Sequence, residues 1–500
     1  MMGRLATALL LALGLGAAAQ AQTLTIALRE DPDILDPTLG SAYVSRVVYA
    51  AMCDRLIDLD AGLNLVPQLV TSWAWEDPLH LVLHLRPGVV FHDGEPFNAE
   101  AVRYKLTRDQ TLKGSMRAGE VNAISGIEVV DPLTVRLVLR APNAPLLAQL
   151  ADRAGIMISP KAAEAMGAAF GTHPVCAGPY QFESRVAQDS ITLRRFPAYW
   201  DAASYHFDQV VYRPMPGSSV RLANLRAGAV DLVEYVLPSD VDAVRADPRL
   251  QVAIGDGLAY TGINFNLANG PAADTPLGRN RRVRQAFEAA LDRGVISQVV
   301  YGGLFTPTAQ ANPQGSPMWV PAVQPPPRDL DRARALLREA GVALPVPVTL
   351  TLTNSPDVQQ AAEVIQAMAA EAGFEVKLQV TEFATALQAG YSGNFQAFLI
   401  GWSGRSDADG NTWQLLHTGG TFNYGHWSNP AADAAMDQAR AASDPEQRRA
   451  LYAKLWAAER DDMPLVYLYI AKNIVGLKRS LAGFVQVPDG LIRLRGLQFN

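Results

Sequence analysis

The stretch from residue 348 to residue 400 constrains the fold more than any other part of the sequence. Residues 348–352 alternate apolar residues with threonines, residues 356–369 carry apolar residues at helical spacing, and residues 374–380 alternate again. Gly373 is placed to end the helix at its C′ position. Strand, helix, strand at this spacing is typical of a βαβ unit, whose crossover is almost always right-handed. Residues 395–400 (FQAFLI) predict another strand, buried on both faces. The sequence therefore predicts an α/β fold.

A charged, glycine-containing segment, residues 401–413 (GWSGRSDADGNTW), directly follows that last strand. It places two tryptophans, an arginine, two aspartates and an asparagine at the end of an apolar run. In open α/β sheets, ligands bind in the crevice beyond the carboxyl ends of the strands. We therefore expect the polar residues of this segment to face a ligand cleft.

Further elements follow from local patterns. Residues 24–28 and 80–85 alternate in polarity, which predicts strands. Asn98 is placed to cap a helix, and residues 443–446 (SDPE) form a capping box ahead of another helix. A chain of 500 residues exceeds the size at which one hydrophobic core keeps growing, so two or three domains are expected.

The first 21 residues have the pattern of a secretory signal peptide. Arg4 precedes an apolar run over residues 5–15, and small residues lead to a cleavage position after Ala21. The alternative is a membrane anchor, but the run is shorter than the roughly 20 residues that span a bilayer. No cysteine directly follows the run to carry a lipid. The mature protein is therefore predicted to be free in the periplasm.

Charge and cysteine content exclude several classes of protein. The chain carries 43 Lys and Arg against 49 Asp and Glu, a net charge of −6 at pH 7, whereas binding of nucleic acid demands a basic surface. Only Cys53 and Cys176 are present, which excludes a disulfide-stapled scaffold and a multi-cysteine zinc site. In an oxidising compartment these two residues can form one bridge. The alternative is that they are two small buried hydrophobic residues.

Motifs spread along the chain resemble those of one family. They are residues 65–73 (LVPQLVTSW), 84–100 (HLRPGVVFHDGEPFNAE), 174–180 (PVCAGPY), 197–200 (PAYW), 283–287 (VRQAF), 290–293 (ALDR) and 424–429 (YGHWSN). Each motif alone is weak, but their order and spacing together are specific. The chain resembles the family 5 solute-binding proteins of bacterial ABC importers, which include binders of dipeptides, oligopeptides and nickel.

The resemblance implies an α/β fold of two lobes around a ligand cleft, of type II-like, cluster C architecture, in which each lobe is a mixed sheet flanked by helices. It implies a first lobe of residues 22–262, with an extra subdomain at about residues 60–190, completed by residues 475–500. The second lobe comprises residues 265–472, and the chain is expected to cross between lobes near residues 260–266 and 469–475. The implied role is that of a periplasmic monomer that captures a small solute by lobe closure. It delivers the solute to the transmembrane subunits of an ABC permease.

The charged segment supplies candidate partners for a peptide, whose ammonium and carboxylate each need a counter-charge when they are buried. Peptide binders of the family usually place an aspartate for the ammonium in the segment that matches Asp407 and Asp409, and the flanking residues favour Asp407. The alternative is that these aspartates form Asx turns in the loop. Arg405 can hold a ligand carboxylate through a bidentate fork, or it can brace either aspartate.

Aromatic, hydroxyl and amide groups complete the predicted site. Trp402 offers a flat wall and an indole N–H to a ligand, or it packs in the core. Residues 40–43 (GSAY) resemble the first ligand loop of the family, which makes Ser41 and Tyr43 candidate contacts, and Asn411 and Tyr424 are further candidates.

The resemblance also shows one departure from the family. Close dipeptide binders carry an arginine clamp after the strand that ends near residue 353, whereas residues 354–360 (NSPDVQQ) hold no arginine. We therefore do not expect a strict dipeptide preference.

No cofactor or resident metal is expected. His80 and His84 lie four residues apart on a predicted strand, which separates them by roughly 13 Å, too far for one ion. His417 and His426 flank a loop near the predicted cleft, so a metal chelate is a second candidate ligand. The predicted solute is a short peptide or peptide-like molecule, and the family resemblance leaves an opine and an oligosaccharide as additional candidates.

Catalysis is not expected either. Residues 401–405 (GWSGR) depart from the nucleophile elbow G-x-S-x-G at the fifth position, and the residues that follow are too rich in turn formers for an immediate helix. A serine hydrolase using Ser403, with His417 or another histidine in reach, is the weaker hypothesis. The sequence holds no G-x-x-x-x-G-K-[ST], so the chain is not the ATPase of an importer.

Overall fold

A computed structural model describes residues 22–500. The predicted signal peptide, residues 1–21, lies outside the described residues. Within residues 22–500, none of the helices combines the length and the apolar character that crossing a membrane requires.

The described chain contains both strands and helices throughout its length. The strands are β1 (Thr23–Leu28), β2 (Ile57–Leu59), β3 (Leu65–Pro67), β4 (Val70–Asp77), β5 (His80–Leu85), β6 (Ile124–Asp131), β7 (Thr134–Leu139), β8 (Tyr180–Val186), β9 (Ser190–Arg195), β10 (Gln209–Pro214), β11 (Leu232–Val233), β12 (Leu250–Phe265), β13 (Thr306–Pro307), β14 (Val346–Thr353), β15 (Phe374–Thr381), β16 (Ala397–Trp402), β17 (Leu465–Lys478), β18 (Leu481–Ala482) and β19 (Gln498–Phe499). The α-helices are α1 (Tyr43–Met52), α2 (Ala99–Thr111), α3 (Ala118–Val121), α4 (Leu146–Leu150), α5 (Pro160–Met166), α6 (Ser218–Ala227), α7 (Val241–Arg245), α8 (Pro276–Arg279), α9 (Arg281–Ala289), α10 (Arg293–Tyr301), α11 (Leu330–Ala340), α12 (Pro356–Ala372), α13 (Phe383–Ser392), α14 (Asp409–Leu416), α15 (Pro430–Ala441) and α16 (Pro445–Asp462). Short 3-10 helices cover Arg153–Gly155, Gly167–Thr172, Ala202–Ser204, Pro238–Asp240 and Pro271–Ala273.

The main sheet has two halves joined by two long central strands. Its order is β15-β14-β16-β12-β17-β11-β1-β10-β9-β8. Residues 250–256 of β12 pair with residues 472–478 of β17, and after a register shift between Asp256 and Tyr260, residues 260–264 pair with residues 465–470. β11 adds to the first of these paired regions and β16 to the second. The chain therefore forms two lobes, and β12 and β17 pass from one to the other.

This architecture confirms the predicted two-lobed α/β fold. In the first lobe, β1 pairs in parallel with β10 and β11, whereas β8, β9 and β10 are antiparallel. In the second lobe, β14 pairs in parallel with β15 and β16. The first half of the sheet is thus mixed. The second half is parallel over β15, β14 and β16 and becomes mixed where the central strand β12 pairs antiparallel with β16. The register shift of β12 and β17 lies beside both predicted crossings between lobes. The predicted lobe boundaries remain a proposal.

The predicted βαβ unit is present as β14, α12 and β15. Apolar residues of α12 at helical spacing are buried, and Gly373 ends the helix with a φ of 110°, a backbone conformation that suits glycine. Asn98 caps α2, since its side chain accepts a hydrogen bond from the backbone N of Ala101. The predicted capping box was wrong by one residue. Asp444, not Ser443, is the N-cap of α16 and accepts a hydrogen bond from the backbone N of Gln447.

A four-stranded antiparallel sheet, β4-β5-β7-β6, stands apart from the main sheet within the first lobe. It packs with α2 around a core of its own that includes Leu83, Val102 and Leu137. The structure joins Cys53 and Cys176 in a disulfide across 123 residues. Both cysteines are buried, and the bridge ties the end of α1 to the segment before β8.

Candidate functional site

A cavity of about 220 Å³ lies between the lobes, at the register shift of β12 and β17. The first lobe lines it with Arg29, Glu30, Ser41, Tyr43, Glu234 and Tyr235. The second lobe lines it with Asp357, Tyr391, Trp402, Phe422 and Tyr424, and the central strands add Tyr260, Tyr469 and Lys472. Both lobes therefore contribute charged and aromatic groups to one cavity.

The loop that carries Ser41 and Tyr43 is fixed in the cavity wall by internal hydrogen bonds. Asp33 Oδ2 accepts from the backbone N of Ser41 at 2.7 Å and from its Oγ at 3.0 Å. The guanidinium of Arg153 donates to the carbonyl of Ser41 at 2.9 Å. Tyr43 Oη donates to the carbonyl of Gly490 at 2.5 Å, which leaves its ring as the cavity surface. The predicted loop thus reaches the cavity, as a wall of fixed shape.

Arg29, at the carboxyl end of β1, is held by neighbours on three sides. Its Nε lies 2.9 Å from Glu234 Oε1, and its guanidinium carbon lies 4.9 Å from the ring centroids of both Tyr43 and Tyr235. The ion pair with Glu234 and the two cation–π contacts together restrict the orientation of the guanidinium. Arg29 therefore forms a preorganised positive group in the cavity wall.

Trp402 and Tyr424 line the opposite wall. The indole Nε1 of Trp402 donates to the carbonyl of Gly410 at 3.1 Å and to Asn411 Oδ1 at 3.2 Å, so the ring, not the N–H, is offered to the cavity. The ring of Tyr424 packs against Phe398 with centroids 5.7 Å apart. Both residues belong at once to the cavity wall and to the core of the second lobe.

Arg405 and Asn411 lie behind this wall and do not line the cavity. Asn411 accepts from the backbone N of Arg405 at 2.7 Å and donates to its carbonyl at 3.0 Å, which fixes the turn. The guanidinium carbon of Arg405 lies 4.5 Å from the ring centroid of Trp402, on the side away from the cavity lining. Gly404 has a φ of 74°, and a Cβ there would lie 2.2 Å from the carbonyl of Leu258. Only glycine permits this close approach.

Asp407 and Asp409 are each paired inside the protein. Arg448 donates to both oxygens of Asp407, at 2.9 and 2.8 Å. Arg440 donates to both oxygens of Asp409, at 2.6 and 2.9 Å. Such bidentate pairs are strong and geometrically specific. The structure therefore brings Ser41, Tyr43, Trp402 and Tyr424 together around the cavity and places Arg405, Asp407 and Asn411 outside its lining.

An interlobe ion cluster, formed by Arg46 and Asp152 of the first lobe and Arg405 of the second, joins the lobes beside the cavity. Asp152 accepts from Arg46 Nε at 3.0 Å and pairs with Arg405 Nε at 2.5 Å. Burial alone would raise the pKa of Asp152, but Arg46 and Arg405, with Arg153 and Arg117, hold it well below its usual range. Burial lowers the pKa of Arg405 to about 10, so it stays protonated at neutral pH. The cluster is therefore charged throughout the physiological range.

Two hydrogen bonds add to the contact between lobes. Tyr235 Oη donates to Asp357 Oδ2 at 2.9 Å, and Gln149 Nε2 donates to Asp409 Oδ2 at 3.2 Å. Hydrogen bonds and an ion pair thus join the two lobes directly, as a closed arrangement of the lobes requires.

Ser403 and His417 do not come together. Ser403 Oγ accepts from Arg46 at 3.4 Å and from Arg405 at 3.1 Å. His417 instead faces Asp437, with Nε2 3.4 Å from its carboxylate. The helix after the charged segment begins at Asp409, six residues beyond Ser403. In residues 22–500, no group of three or more histidine, cysteine and acidic side chains is arranged to hold a metal ion.

Sequence reasoning missed Arg29, Glu30, Glu234, Tyr235 and Asp357. The signal that could have found them was the rule applied to the charged segment, that ligands lie beyond the carboxyl ends of strands. Arg29 follows β1, Glu234 follows β11, and Asp357 lies four residues after β14. Each of these strand ends contributes only one or two charged residues to the cavity lining, whereas residues 401–413 after β16 carry three charged residues.

The pKa of Glu30 gives a testable property of the cavity. Burial raises it to about 7, although Arg29 opposes the shift. Between its ordinary value of 4.5 and about 7, the folded state holds a proton that the unfolded state has lost, so the free energy of unfolding should fall as the pH rises. We expect a loss of about 2 kcal/mol across this interval. Urea unfolding at pH 5 and pH 8 measures it, and Glu30→Gln should remove this component. An unchanged pH dependence in Glu30→Gln would contradict the assignment.

Comparison with known proteins identifies the family. Residues 64–423 match the family model described as bacterial extracellular solute-binding proteins, family 5 middle. The chain belongs to family 5 of the bacterial extracellular solute-binding proteins. The glutathione-binding protein GsiB of Pectobacterium atrosepticum is 30% identical to this chain over 483 residues, which cover 91% of this chain and 90% of GsiB.

Solved structures of periplasmic binding proteins have the same fold. DppA of Helicobacter pylori, in complex with the peptide STSA, superposes with a TM-score of 0.86 at 25% identity and covers 95% of this chain and 98% of DppA. AgaA of A. tumefaciens R10, in complex with agropinic acid, superposes with a TM-score of 0.87 at 25% identity, covering 96% of this chain and 99% of AgaA. Both are ligand-bound periplasmic binding proteins, so the predicted family and its solute-binding role are confirmed.

Proposed function

We propose that this protein is the periplasmic substrate-binding protein of an ABC importer, and that it captures a short peptide or peptide-like solute in the cavity between its lobes. The observation that carries the proposal is the cavity itself, which both lobes line with charged and aromatic side chains at the register shift of the central strands. Its volume of about 220 Å³ lies below the usual range for sites of drug-sized molecules, so the solute is small.

The chemistry of the lining suits a peptide. A peptide brings an ammonium, a carboxylate and a line of amides, and burying each charge costs several kcal/mol unless it meets an opposite charge. The cavity offers Arg29 as a positive group and Glu30, Glu234 and Asp357 as negative groups. Tyr391 Oη is buried and has no hydrogen-bond partner within residues 22–500, so an amide of the solute can satisfy it.

The four predicted residues that line the cavity are proposed to contact the solute directly. Ser41 and Tyr43 form one wall, and Trp402 and Tyr424 form the other. Arg405 and Asn411 support Trp402 from behind, and Asp407 fixes the segment through Arg448. Their proposed role is to hold the wall in place.

Capture proceeds by a shift in population between open and closed forms. A solute that contacts both lobes favours the closed form, because only closure allows both sets of contacts at once. The interlobe ion cluster and the bond from Tyr235 to Asp357 form in that same closed arrangement. The closed protein, a monomer in the periplasm after removal of residues 1–21, then presents the solute to the transmembrane subunits of its permease.

An opine is the second candidate solute, because AgaA, which is 25% identical to this chain, holds agropinic acid in its structure. An opine and a peptide both carry a carboxylate and polar groups that contain nitrogen, so Arg29 can pair with the carboxylate of either one.

Isothermal titration calorimetry on the purified mature protein tests the proposal. The panel consists of Ala-Ala-Ala, glutathione, agropinic acid, maltotriose and a nickel–histidine chelate. We expect a peptide or glutathione to bind with a Kd in the micromolar range or below, and Trp402→Ala to weaken that binding at least 10-fold. Exclusive binding of maltotriose or the chelate would overturn the peptide assignment. Steady hydrolysis of chromogenic esters, abolished by Ser403→Ala, would overturn the transport role.

A further inference from the structure

A second, much smaller cavity lies behind Trp402, on the side away from the cavity that is proposed to hold the solute. Its volume is about 30 Å³, against about 220 Å³ for the solute cavity. Both lobes line it, the first with Glu120, Gln149 and Asp152 and the second with Arg405, Gln414 and Arg440. We call it the junction cavity, because it lies where the two lobes contact each other.

Trp402 is the wall between the two cavities. Within residues 22–500, it is the one residue that lines both of them. The ring of Phe422, which lines the solute cavity, has its centroid 5.0 Å from that of Trp402. The guanidinium carbon of Arg405, which lines the junction cavity, lies 4.5 Å from the Trp402 centroid. The indole ring therefore separates the solute cavity from the junction cavity.

The indole ring is also fixed in its position. Its Nε1 donates to the carbonyl of Gly410 and to Asn411 Oδ1. A Cβ on Gly410 would lie 2.6 Å from Cγ of Arg405, so the backbone that holds the indole is itself closely packed. Packed protein interiors have low compressibility. A solute therefore cannot enlarge its cavity by displacing the ring a little.

The charges around the junction cavity are balanced. Each acidic side chain that lines it has an arginine partner, in the pairs Glu120–Arg117, Asp152–Arg405, Asp407–Arg448 and Asp409–Arg440. A further charged group brought into this space would lose its hydration without gaining a free counter-charge, which is costly. The junction cavity therefore disfavours a charged group.

Four polar atoms of the junction cavity have no partner. The donors are Nη2 of Arg405 and Nε2 of Gln414, and the acceptors are Oε2 of Glu120 and Oε1 of Gln149. All four atoms are buried and lack a hydrogen-bond partner within residues 22–500. Unpaired buried polar atoms are costly, so nearly all such atoms in folded proteins are satisfied. A neutral amide, which both donates and accepts hydrogen bonds, matches this set of atoms.

We propose that Trp402 sets the upper size of the solute, by closing off the junction cavity as an extension that fits a neutral amide group. This inference rests on the proposed function, because it concerns the solute of the same cavity. With the indole in place, a side chain of the solute that points at this wall has to be small. Without the indole, the two cavities join, and an amide side chain reaches the four unpaired atoms.

Tripeptides with one changed side chain test the inference by calorimetry. Ala-Ala-Ala is compared with Gln-Ala-Ala, Ala-Gln-Ala and Ala-Ala-Gln, which keep both charged termini and add one amide side chain. We expect the unmodified protein to bind at least one of the glutamine peptides about 10-fold more weakly than Ala-Ala-Ala, because added atoms do not fit a packed wall. Trp402→Ala should weaken binding of Ala-Ala-Ala but bind that same glutamine peptide at least threefold more tightly than Ala-Ala-Ala.

The charge of the added side chain gives a readout that a purely structural role of Trp402 would not produce. The peptide with glutamate in place of that glutamine has almost the same shape but carries a carboxylate. We expect Trp402→Ala to gain no affinity for the glutamate peptide. In the Trp402→Ala background, the further change Gln414→Met should remove the preference for glutamine, because it deletes one of the unpaired donors.

Two variants serve as matched controls. Trp402→Phe keeps an aromatic ring in the wall and should keep the preference for Ala-Ala-Ala. Phe422→Leu enlarges the solute cavity, but Phe422 does not line the junction cavity, so this variant should not come to prefer glutamine. Urea unfolding of each variant verifies that it is folded.

The outcomes separate this inference from the proposed function. Equal binding of all four uncharged-side-chain peptides to the unmodified protein overturns the inference and leaves the peptide role intact, and this result needs no variant. A preference for Ala-Ala-Ala that persists in folded Trp402→Ala, or an equal gain for the glutamate peptide, also overturns the inference alone. Absence of peptide binding to every form of the protein overturns both.

Discussion

Replacing Asp152 with alanine is expected to weaken solute binding about 100-fold. Asp152 is the shared carboxylate of the interlobe ion cluster, and within residues 22–500 Arg46 and Arg405 have no other ion-pair partner. Removing one member of a buried charge network leaves the others uncompensated, at a cost of about 3–5 kcal/mol. In the open form, water can reach these groups, so the cost falls mainly on the closed form and appears as lost affinity.

Small-angle scattering and calorimetry together measure this effect. With saturating solute, the radius of gyration of the unmodified protein should decrease, whereas Asp152→Ala should need about 100-fold more solute for the same decrease. Glu446→Ala removes an exposed pair with Arg449 and serves as control, because exposed pairs contribute about 0–1 kcal/mol. Normal affinity in Asp152→Ala would show that the cluster plays no part in closure.

The pKa of Asp152 also fixes how closure responds to pH. Its folded value lies well below its usual range. For a carboxylate of this kind, the stabilisation is present above the unfolded pKa of about 3.9 and is lost as the pH falls through the folded value. Asp152 should therefore contribute nothing to the pH dependence of solute affinity between about pH 5 and pH 8, because it stays charged throughout that interval. Within the cavity lining, Glu30 has a pKa inside that interval, at about 7.

Removing the disulfide is expected to lower the free energy of unfolding of the first lobe by about 2–4 kcal/mol. The bridge between Cys53 and Cys176 closes a loop of 123 residues that contains the whole four-stranded sheet. Cross-linking restricts the unfolded chain, and the restriction grows with the length of the loop. The double variant Cys53→Ala with Cys176→Ala retains small buried side chains at both positions.

Urea unfolding with fluorescence detection measures this change, and the unmodified protein under reducing conditions is the matched control. The reduced protein and the double variant should unfold at similar urea concentrations, both below the oxidised protein. Solute affinity should change less than threefold, since neither cysteine lines the cavity. An unchanged midpoint of unfolding would mean that the bridge does not stabilise the folded lobe.

The elements with strong periodicity could be predicted from sequence, because their patterns record which face is buried. β14, α12 and β15 alternate or repeat at the spacing of their secondary structure, and their apolar faces form one core. Helix ends are harder, since Ser443 and Asp444 both suit an N-cap and only the backbone conformation decides between them. The pairing of lobes through β12 and β17 came from the family resemblance, because no local pattern encodes it.

The position of the candidate site in the fold could be predicted from the sequence, but the role of each of its residues could not. The end of β16 does reach the cavity, since Gly401, Trp402 and Ser403 line it, whereas the charged residues that follow lie outside the lining. Their charges, however, have partners that lie far away in the sequence, such as Asp152 for Arg405 and Arg448 for Asp407. A single sequence does not show which charges neutralise each other. Arg405 and Asp407 were therefore predicted to pair with the carboxylate and the ammonium of the solute, whereas Arg29 and Asp357 are the residues now proposed for these roles.

The two central strands have a mechanical consequence. β12 and β17 are hydrogen-bonded neighbours on both sides of their register shift, so they behave as one ribbon that bends where pairing is interrupted. At that interruption, a Cβ on Gly257 would lie 2.4 Å from the carbonyl of Ala471, which leaves little room for sliding. We therefore expect the lobes to rotate about this ribbon when the cavity opens and closes, and not to slide past each other. Rotation about the ribbon changes the distance between two fluorophores placed one on each lobe. Energy transfer between them would therefore report solute capture, so the molecule suits the design of an optical sensor.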